Sequence, residues 1–311
     1  MIVDKSIAPI SESKILWIRR KRLLGKVLFF AGIILMCLFC AGPFIWIFIR
    51  SLRDPYIPQS EFEIFPKIAN LKSYLVVFEN TEYTGVTFDR ALINGFILSS
   101  LTAIVVLLVG SFVAYSLAKF EFPMKGVVTM IIFAMTSLPP LIIVIPYFIQ
   151  VKTISEFVPI LDLHDNLIGL VLPYSAFNLP LSVFVLRSFF EEIPEDLWKA
   201  AKVDGASNFQ IFRKIILPLT IPGLFTTLML VFIASWNELL FAQIWLTSDY
   251  NHTVPRAILR FVQSPLSLQA NWDTDLALMA ATCIATIPLV ILVLIFQKQL
   301  IKGITSGAVK G

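Results

Sequence analysis

Side chains able to do chemistry are few and scattered in this sequence. Cys37 and Cys40 stand in "CLFC", the C-x-x-C spacing of a redox pair or half of a zinc site. Both fall on one face of an apolar run with no His or acid beside them, where a free thiol packs as a small hydrophobe. Cys283 lies in another such run. The two histidines, His164 and His252, sit far apart in polar connections and are expected to be solvated. No G-x-x-x-x-G-K-[ST] loop is present to cradle nucleotide phosphates. No metal-spaced carboxylates and no nucleophile elbow occur either. The expectation is a non-catalytic chain that binds no metal and no cofactor of its own. One acid stands apart: Glu238, in "SWNELL", is alone within a long apolar run. A carboxylate at such a place can serve a coupling ion or a polar cargo.

These groups are positioned by elements built for lipid. Of 311 residues, 57% are hydrophobic and 15% charged, against about 25% charged in soluble domains. Six stretches reach the ~20 residues that a helix needs to cross a bilayer core. They are Val27–Ile49, Gly95–Ala118, Val127–Ile149, Leu167–Leu186, Leu219–Leu246 and Leu276–Phe296. Backbone groups in lipid must pair internally, and the stretches do not alternate as barrel strands would. The fold class expected is therefore an all-α membrane protein with six transmembrane helices, a permease-like domain over residues 27–302. Residues 1–26 form a basic arm, part helix along the membrane surface, and residues 303–311 a short tail. Pro139, Pro140 and Pro146 fall in the third span, Pro173 and Pro180 in the fourth and Pro288 in the sixth. They predict kinks.

Six spans put both ends on one side. The 25 Lys and Arg divide 17 to 8 in favour of that side, which holds "RRKR" (Arg19–Arg22), Lys119, Lys125 and the connection after the fourth span. The positive-inside rule then makes both termini cytoplasmic. The net charge of +4 follows from this topology and gives no reason to invoke nucleic acid. On the other side, Arg50–Asp89 is expected to fold back on the membrane face. "VPRAILRFVQ" reads as a short amphipathic helix after Pro255.

The cytoplasmic connection, residues 189–217, is longer and more ordered in pattern than a linker requires. Pro194 suits a first helical turn, and Glu195 and Asp196 complement the helix dipole. Ala200 and Ala201 favour helix and keep its surface shallow. Gly205 stops the helix in a left-handed position. Ser207 and Gln210 have capping-box spacing for a second helix, along which Phe209, Phe212, Ile215 and Ile216 can form one apolar stripe. Pro218 ends the segment. A helix, a tight turn and a helix result, with Leu197, Ala200, Ala201 and Val203 offered to a groove in another protein or to the lipid surface.

The same residues resemble the loop motif of permease subunits in binding-protein-dependent ABC importers, E-A-A-x-x-x-G, nine residues, then I-x-L-P. Here Ala200 and Ala201 are followed by three residues, Gly205, nine residues, Ile215, one residue, Leu217 and Pro218. The leading Glu is replaced by Lys199, with Glu195 and Asp204 as nearby carboxylates. "DGAS" (Asp204–Ser207), "AYSLAKFEFP" (Ala114–Pro123), "SWNELL" (Ser235–Leu240) and "GAVKG" (Gly307–Gly311) also resemble the family. They point to its carbohydrate-uptake branch, and within it to the six-span second permease of maltose-type systems.

The resemblance implies a type I ABC importer permease fold in a bacterial or archaeal inner membrane. It implies a heterodimer with a second permease subunit, two ATPase subunits that bind ATP and Mg, and a periplasmic or extracellular solute-binding protein. The ATPase-coupling residues would be Glu195, Leu197, Lys199, Ala200, Ala201, Asp204, Gly205, Ala206, Phe209, Leu217 and Pro218. Gly307 and Lys310 would add a C-terminal contact. Asn94, Asn178, Trp236, Asn237 and Glu238 are candidates to line the translocation path, and interhelical hydrogen bonding is equally open to each. The rival readings are an ion-coupled secondary transporter, with Glu238 as its coupling acid, and a scaffold that moves nothing. A third keeps the same machinery with a polyol, glycosylated polyol or glycerol phosphate as cargo.

Overall fold

The computed structural model describes residues 12–57, 65–66, 68–79, 87–157, 163–263 and 273–308, and every regular element among them is a helix. Helix α1 (Glu12–Ser51) is continuous. From Glu12 onward, the end of the basic arm and the first expected span are thus one helix, about 60 Å long at 1.5 Å per residue. Helix α2 (Lys72–Glu79) buries Ser73, Val76 and Val77 and packs on the start of the helix over Phe88–Lys119 and on the last helix. Helices α3 (Phe88–Lys119) and α6 (Leu167–Glu191) are the most extensively packed pair. Their buried residues include many small ones, Ser99, Thr102, Gly110 and Ser111 on α3 and Ser175 and Ser182 on α6, and Gly110 lies against Leu179, Ser182 and Leu186 of α6. Small side chains let two helices approach closely in a membrane, where no hydrophobic drive separates helix from lipid.

The third and fifth spans depart from expectation. Val127–Ile149 is divided into α4 (Lys125–Met135) and α5 (Pro140–Phe157) by Thr136–Pro139. Pro139 and Pro140 in tandem supply no N–H, so the ladder cannot pass them, and Pro140 becomes the first residue of the next helix. Leu219–Leu246 is broken twice. A rod α8 (Asn208–Leu219) meets α9 (Ile221–Trp236) at 78°. Pro222 explains the bend: it lacks the donor for the Pro218 carbonyl and its ring crowds that carbonyl. The Thr220 hydroxyl turns back to Ile216 O at 2.8 Å. The second break, Asn237–Leu239, separates α9 from α10 (Leu240–Trp245).

Helix α11 (Val254–Gln263) is the amphipathic helix read from the sequence, and α12 (Thr274–Ala308) completes the chain. Among the described residues, five helices are long and apolar enough to cross a bilayer, and the bent α8–α9 pair would make a sixth. Three buried clusters line the bundle, and two of them reach opposite ends of α3. At the start of α3, Phe88 and Ala91 pack with Val77, Trp236, Phe261 and Ala281. At its other end, Tyr115 and Leu117 pack with Leu186 and Phe190 of α6 and with the 189–217 connection.

Candidate functional site

The 189–217 connection folds as a compact knuckle. Its first helix, α7, spans Glu195–Val203, with Pro194 one residue before it, at φ −53° and ψ 132°. Glu195 and Asp196 occupy the first turn and Lys202 the last, each sign matched to the helix dipole. The turn is a Schellman closure: Gly205 N–H donates to Lys202 O at 3.1 Å and Ala206 N–H to Ala201 O at 3.0 Å. Gly205 has φ +79°, a conformation that L side chains resist. Ser207 and Gln210 form both bonds of the capping box that opens α8. Within α8 the ladder widens to a π turn over Phe212–Ile216 before Leu217–Leu219.

One side of the knuckle is buried and the other bare. Ala201, Ile211, Phe212 and Ile216 are buried under α3 and α6. An apolar side chain of this size contributes about 1.5–3 kcal/mol on leaving water. Ile211 takes the place predicted for Phe209 in the apolar stripe. Phe209 faces outward at 58% exposure, with Leu197 at 45% and Val203 at 87%. Ala200, Asp204 and Pro218 are exposed, and Ala206 and Leu217 half-buried. Lys199 pairs with Glu195 at 3.3 Å along the exposed face.

The knuckle is also gripped by polar bonds from one turn of α3. Lys119 Nζ donates to Ile193 O at 3.0 Å. Tyr115 Oη donates to Asn208 O at 3.2 Å and accepts from Trp198 Nε1 at 3.4 Å. The Tyr115 ring lies 5.0 Å from that of Phe212. Sequence reasoning missed these residues. Their signal was the four-residue spacing of Tyr115 and Lys119, which puts both on one helix face.

The other sequence candidates divide. Asn94, buried, donates to Tyr250 O at 2.8 Å and His252 O at 3.1 Å. Asn178 bonds back to Tyr174 O on its own helix. Trp236, Asn237 and Glu238 lie together at the end of α9. Two cavities of about 380 Å³ border Trp236: one is apolar, and the other adds Asn237, Thr282 and Thr286. Glu238 is not embedded in a helix as expected. It sits at the break, and its carboxylate accepts from Phe241 N at 2.9 Å and Ala242 N at 3.3 Å, capping α10. Gly307 falls in the last helix, and Lys310 lies outside the described residues.

The two histidines differ in exposure, and His164 is half-buried. His164 packs beside Phe148, with ring centres 5.3 Å apart. His252 is 1% exposed. Burial, with Arg256 next in weight, lowers its pKa to about 4 against the pull of Asp249, so the ring is neutral at pH 7. The same segment is latched by Asp165, which accepts from Thr247 N at 2.8 Å and Ser248 N at 3.1 Å. Burial would raise the Asp165 carboxyl, but these bonds prevail and hold it below the usual carboxylate range. Cys37, Cys40 and Cys283 are free thiols, and among the described residues no three His, Cys, Asp or Glu gather to hold a metal.

Comparison with known proteins shows the family and the fold. Residues 106–306 match the family model described as binding-protein-dependent transport system inner membrane component. The trehalose transport system permease protein SugB of Mycobacterium tuberculosis is 38% identical over 86% of this chain and 92% of its own. The trehalose/maltose transport system permease protein MalG of Thermococcus litoralis is 34% identical over 94% of this chain and 99% of its own. In a crystal structure of a bacterial ABC transporter that imports alginate, one chain superposes with a TM-score of 0.68 at 22% identity, covering 94% of this chain and 99% of that one. The fold is thus that of an ABC importer permease. With the motif of residues 200–218 set on a capped, half-buried knuckle of a multi-pass helical protein, the chain belongs to the family of binding-protein-dependent transport system inner membrane components.

Proposed function

We propose that this chain is one permease subunit of an ATP-driven carbohydrate importer in the inner membrane of a bacterium or archaeon, with both termini cytoplasmic. It would pair with a second permease and sit on two ATPase subunits that bind ATP and Mg. It would receive cargo from a solute-binding protein. A glucose disaccharide of the trehalose or maltose kind is the cargo best supported, because the relatives named above carry those sugars in their names. The observation that carries the reading is the two-sided knuckle. Its inner face is fixed under α3 and α6, while Leu197, Val203 and Phe209 stand bare. A groove on an ATPase subunit would take the bare face. Closure of the ATPases would then displace the knuckle, and the close-packed inner face would pass that displacement to the spans as one body.

The ion-coupled alternative is not favoured. It needs an intramembrane acid free to bind an ion, and the oxygens of Glu238 are engaged by two backbone N–H groups. The test is reconstitution in proteoliposomes with the second permease, the ATPases and the binding protein, using radiolabelled trehalose and maltose. ATP-dependent uptake is expected. Uptake by this chain alone on an ion gradient would contradict the reading.

A further inference from the structure

Helix α3 holds something firmly at each end. At its knuckle end Tyr115 and Lys119, one turn apart, grip both boundaries of α7. Lys119 bonds Ile193 O just before it, and Tyr115 bonds Asn208 O just after its turn. At the far end, Asn94 donates both amide hydrogens to the carbonyls of Tyr250 and His252. Gly95, beside it, lets α11 approach: a Cβ there would lie 3.2 Å from Val254 Cγ2 and 3.5 Å from the Trp236 ring. The helix between Asn94 and Tyr115 is unbroken and contains no proline. It separates the two grips by about 30 Å along its axis. In the segment held by Asn94, His252, Thr253 and Val254 are buried, and both ring nitrogens of His252 lack a hydrogen-bond partner. Asn94 holds it from α3, and the Asp165 latch holds the residues just before it.

We propose that Asn94, Tyr115 and Lys119 are positioning residues that make α3 a tie between the knuckle and the Tyr250–Val254 segment at the opposite end of the bundle. A displacement of the knuckle reaches that segment through α3. Either end can be disconnected by removing its side-chain bonds, because the carbonyls they hold belong to other elements. This inference rests on the reading of the knuckle as the ATPase contact.

The test is hydrogen exchange on the complete transporter in nanodiscs, read by mass spectrometry with and without ATP, Mg and vanadate. In the native chain, trapping the ATPases is expected to change exchange in both Glu195–Ile216 and Tyr250–Val254. In Asn94→Leu the knuckle response remains and the Tyr250–Val254 response is lost. In Tyr115→Phe combined with Lys119→Met the ATPases still co-purify, and the Tyr250–Val254 response is lost. Tyr115→Phe alone keeps the ring packing and covers the case in which the double variant does not assemble. It is expected to reduce the far response. A purely structural role would alter exchange equally with and without nucleotide. A far response that survives in every variant overturns the proposal, as does a native chain whose knuckle responds while Tyr250–Val254 does not. If the ATPases never co-purify with the native chain, the reading of the knuckle itself fails, which is a separate result.

Discussion

Ser207 and Gln210 cap one another across a single turn. Gln210 N–H donates to Ser207 Oγ at 3.2 Å, and Ser207 N–H donates to Gln210 Oε1 at 2.8 Å. The pair fixes where α8 begins, two residues after the left-handed Gly205. Ser207→Ala removes a cap worth about 1 kcal/mol. Gly205→Ala forces a side chain into the left-handed region at a cost of about 1–2 kcal/mol. No atom lies within 4 Å of a Cβ built at Gly205, so the penalty is one of backbone conformation and not of crowding. Gly205→Asn is therefore expected to be milder than Gly205→Ala, since Asn tolerates that region. Thermal unfolding of the purified chain and retention of the ATPases on it provide the ranking.

Lys199 stands where the motif has Glu, and it pairs with Glu195 in full view of solvent. Both side chains are more than half exposed. An exposed pair of this kind contributes about 0–1 kcal/mol. Lys199→Ala is expected to leave the melting temperature nearly unchanged. Lys199→Glu puts like charges at i and i+4, and is expected to cost only a few tenths of a kcal/mol. Any larger effect of either variant should appear in the salt dependence of ATPase binding, measured by co-purification across a salt series.

Gly223 of α9 lies directly against the ring of Phe189 on α6. A Cβ at Gly223 would overlap three atoms of that ring. Gly223→Ala is expected to destabilise by about 1–3 kcal/mol through overpacking. Phe189→Leu should relieve part of it, so the double variant is expected to be more stable than the sum of the single losses predicts. Melting temperatures of the four chains form the cycle.

His252 makes the segment after α10 sensitive to acid. Its folded pKa is about 4 against 6.5 for the free side chain. Between those values the unfolded segment binds the proton and the folded one does not, so stability falls as pH drops from 6.5 to about 4. Below that window both forms are protonated and His252 adds no further loss. Asp249, Asp165, Arg256 and Arg260 surround the ring, and the two arginines oppose its protonation. Hydrogen exchange in Thr247–Thr253 is expected to rise across the window, and His252→Phe should flatten that rise. Asp165 acts in the same sense lower down: its carboxyl is held below the free value of 3.8, so its contribution is full above 3.8 and falls away as the pH drops from there towards the lower folded value.

Local chemistry was legible in the sequence wherever it was carried by neighbours in the chain. The Gly205 turn, the Ser207–Gln210 cap, the amphipathic α11 and the apolar character of the spans all follow from spacing and residue type. What eluded the sequence depends on distant partners or on competition within the ladder. The Pro139-Pro140 tandem was read as a kink and is a break. The bend before Pro222 moves the end of the knuckle rod from Pro218 to Leu219. The π turn at Phe212–Ile216 shifts the buried stripe from Phe209 to Ile211. Polarity leaves Asn94 open to bonding between elements, and it bonds to the carbonyls of Tyr250 and His252. Glu238 is engaged by the next helix and His252 is buried, and only tertiary packing decides that.

The proposed function requires the bare face of the knuckle to seat against an ATPase subunit. It is tested most directly by placing a photocrosslinker at Val203 in the full transporter in native membranes. An adduct to the ATPase subunit is expected, and it should diminish in Gly205→Asp, with the permease still inserted. Adducts to lipid alone, in membranes where the ATPase is present and active, would contradict the account.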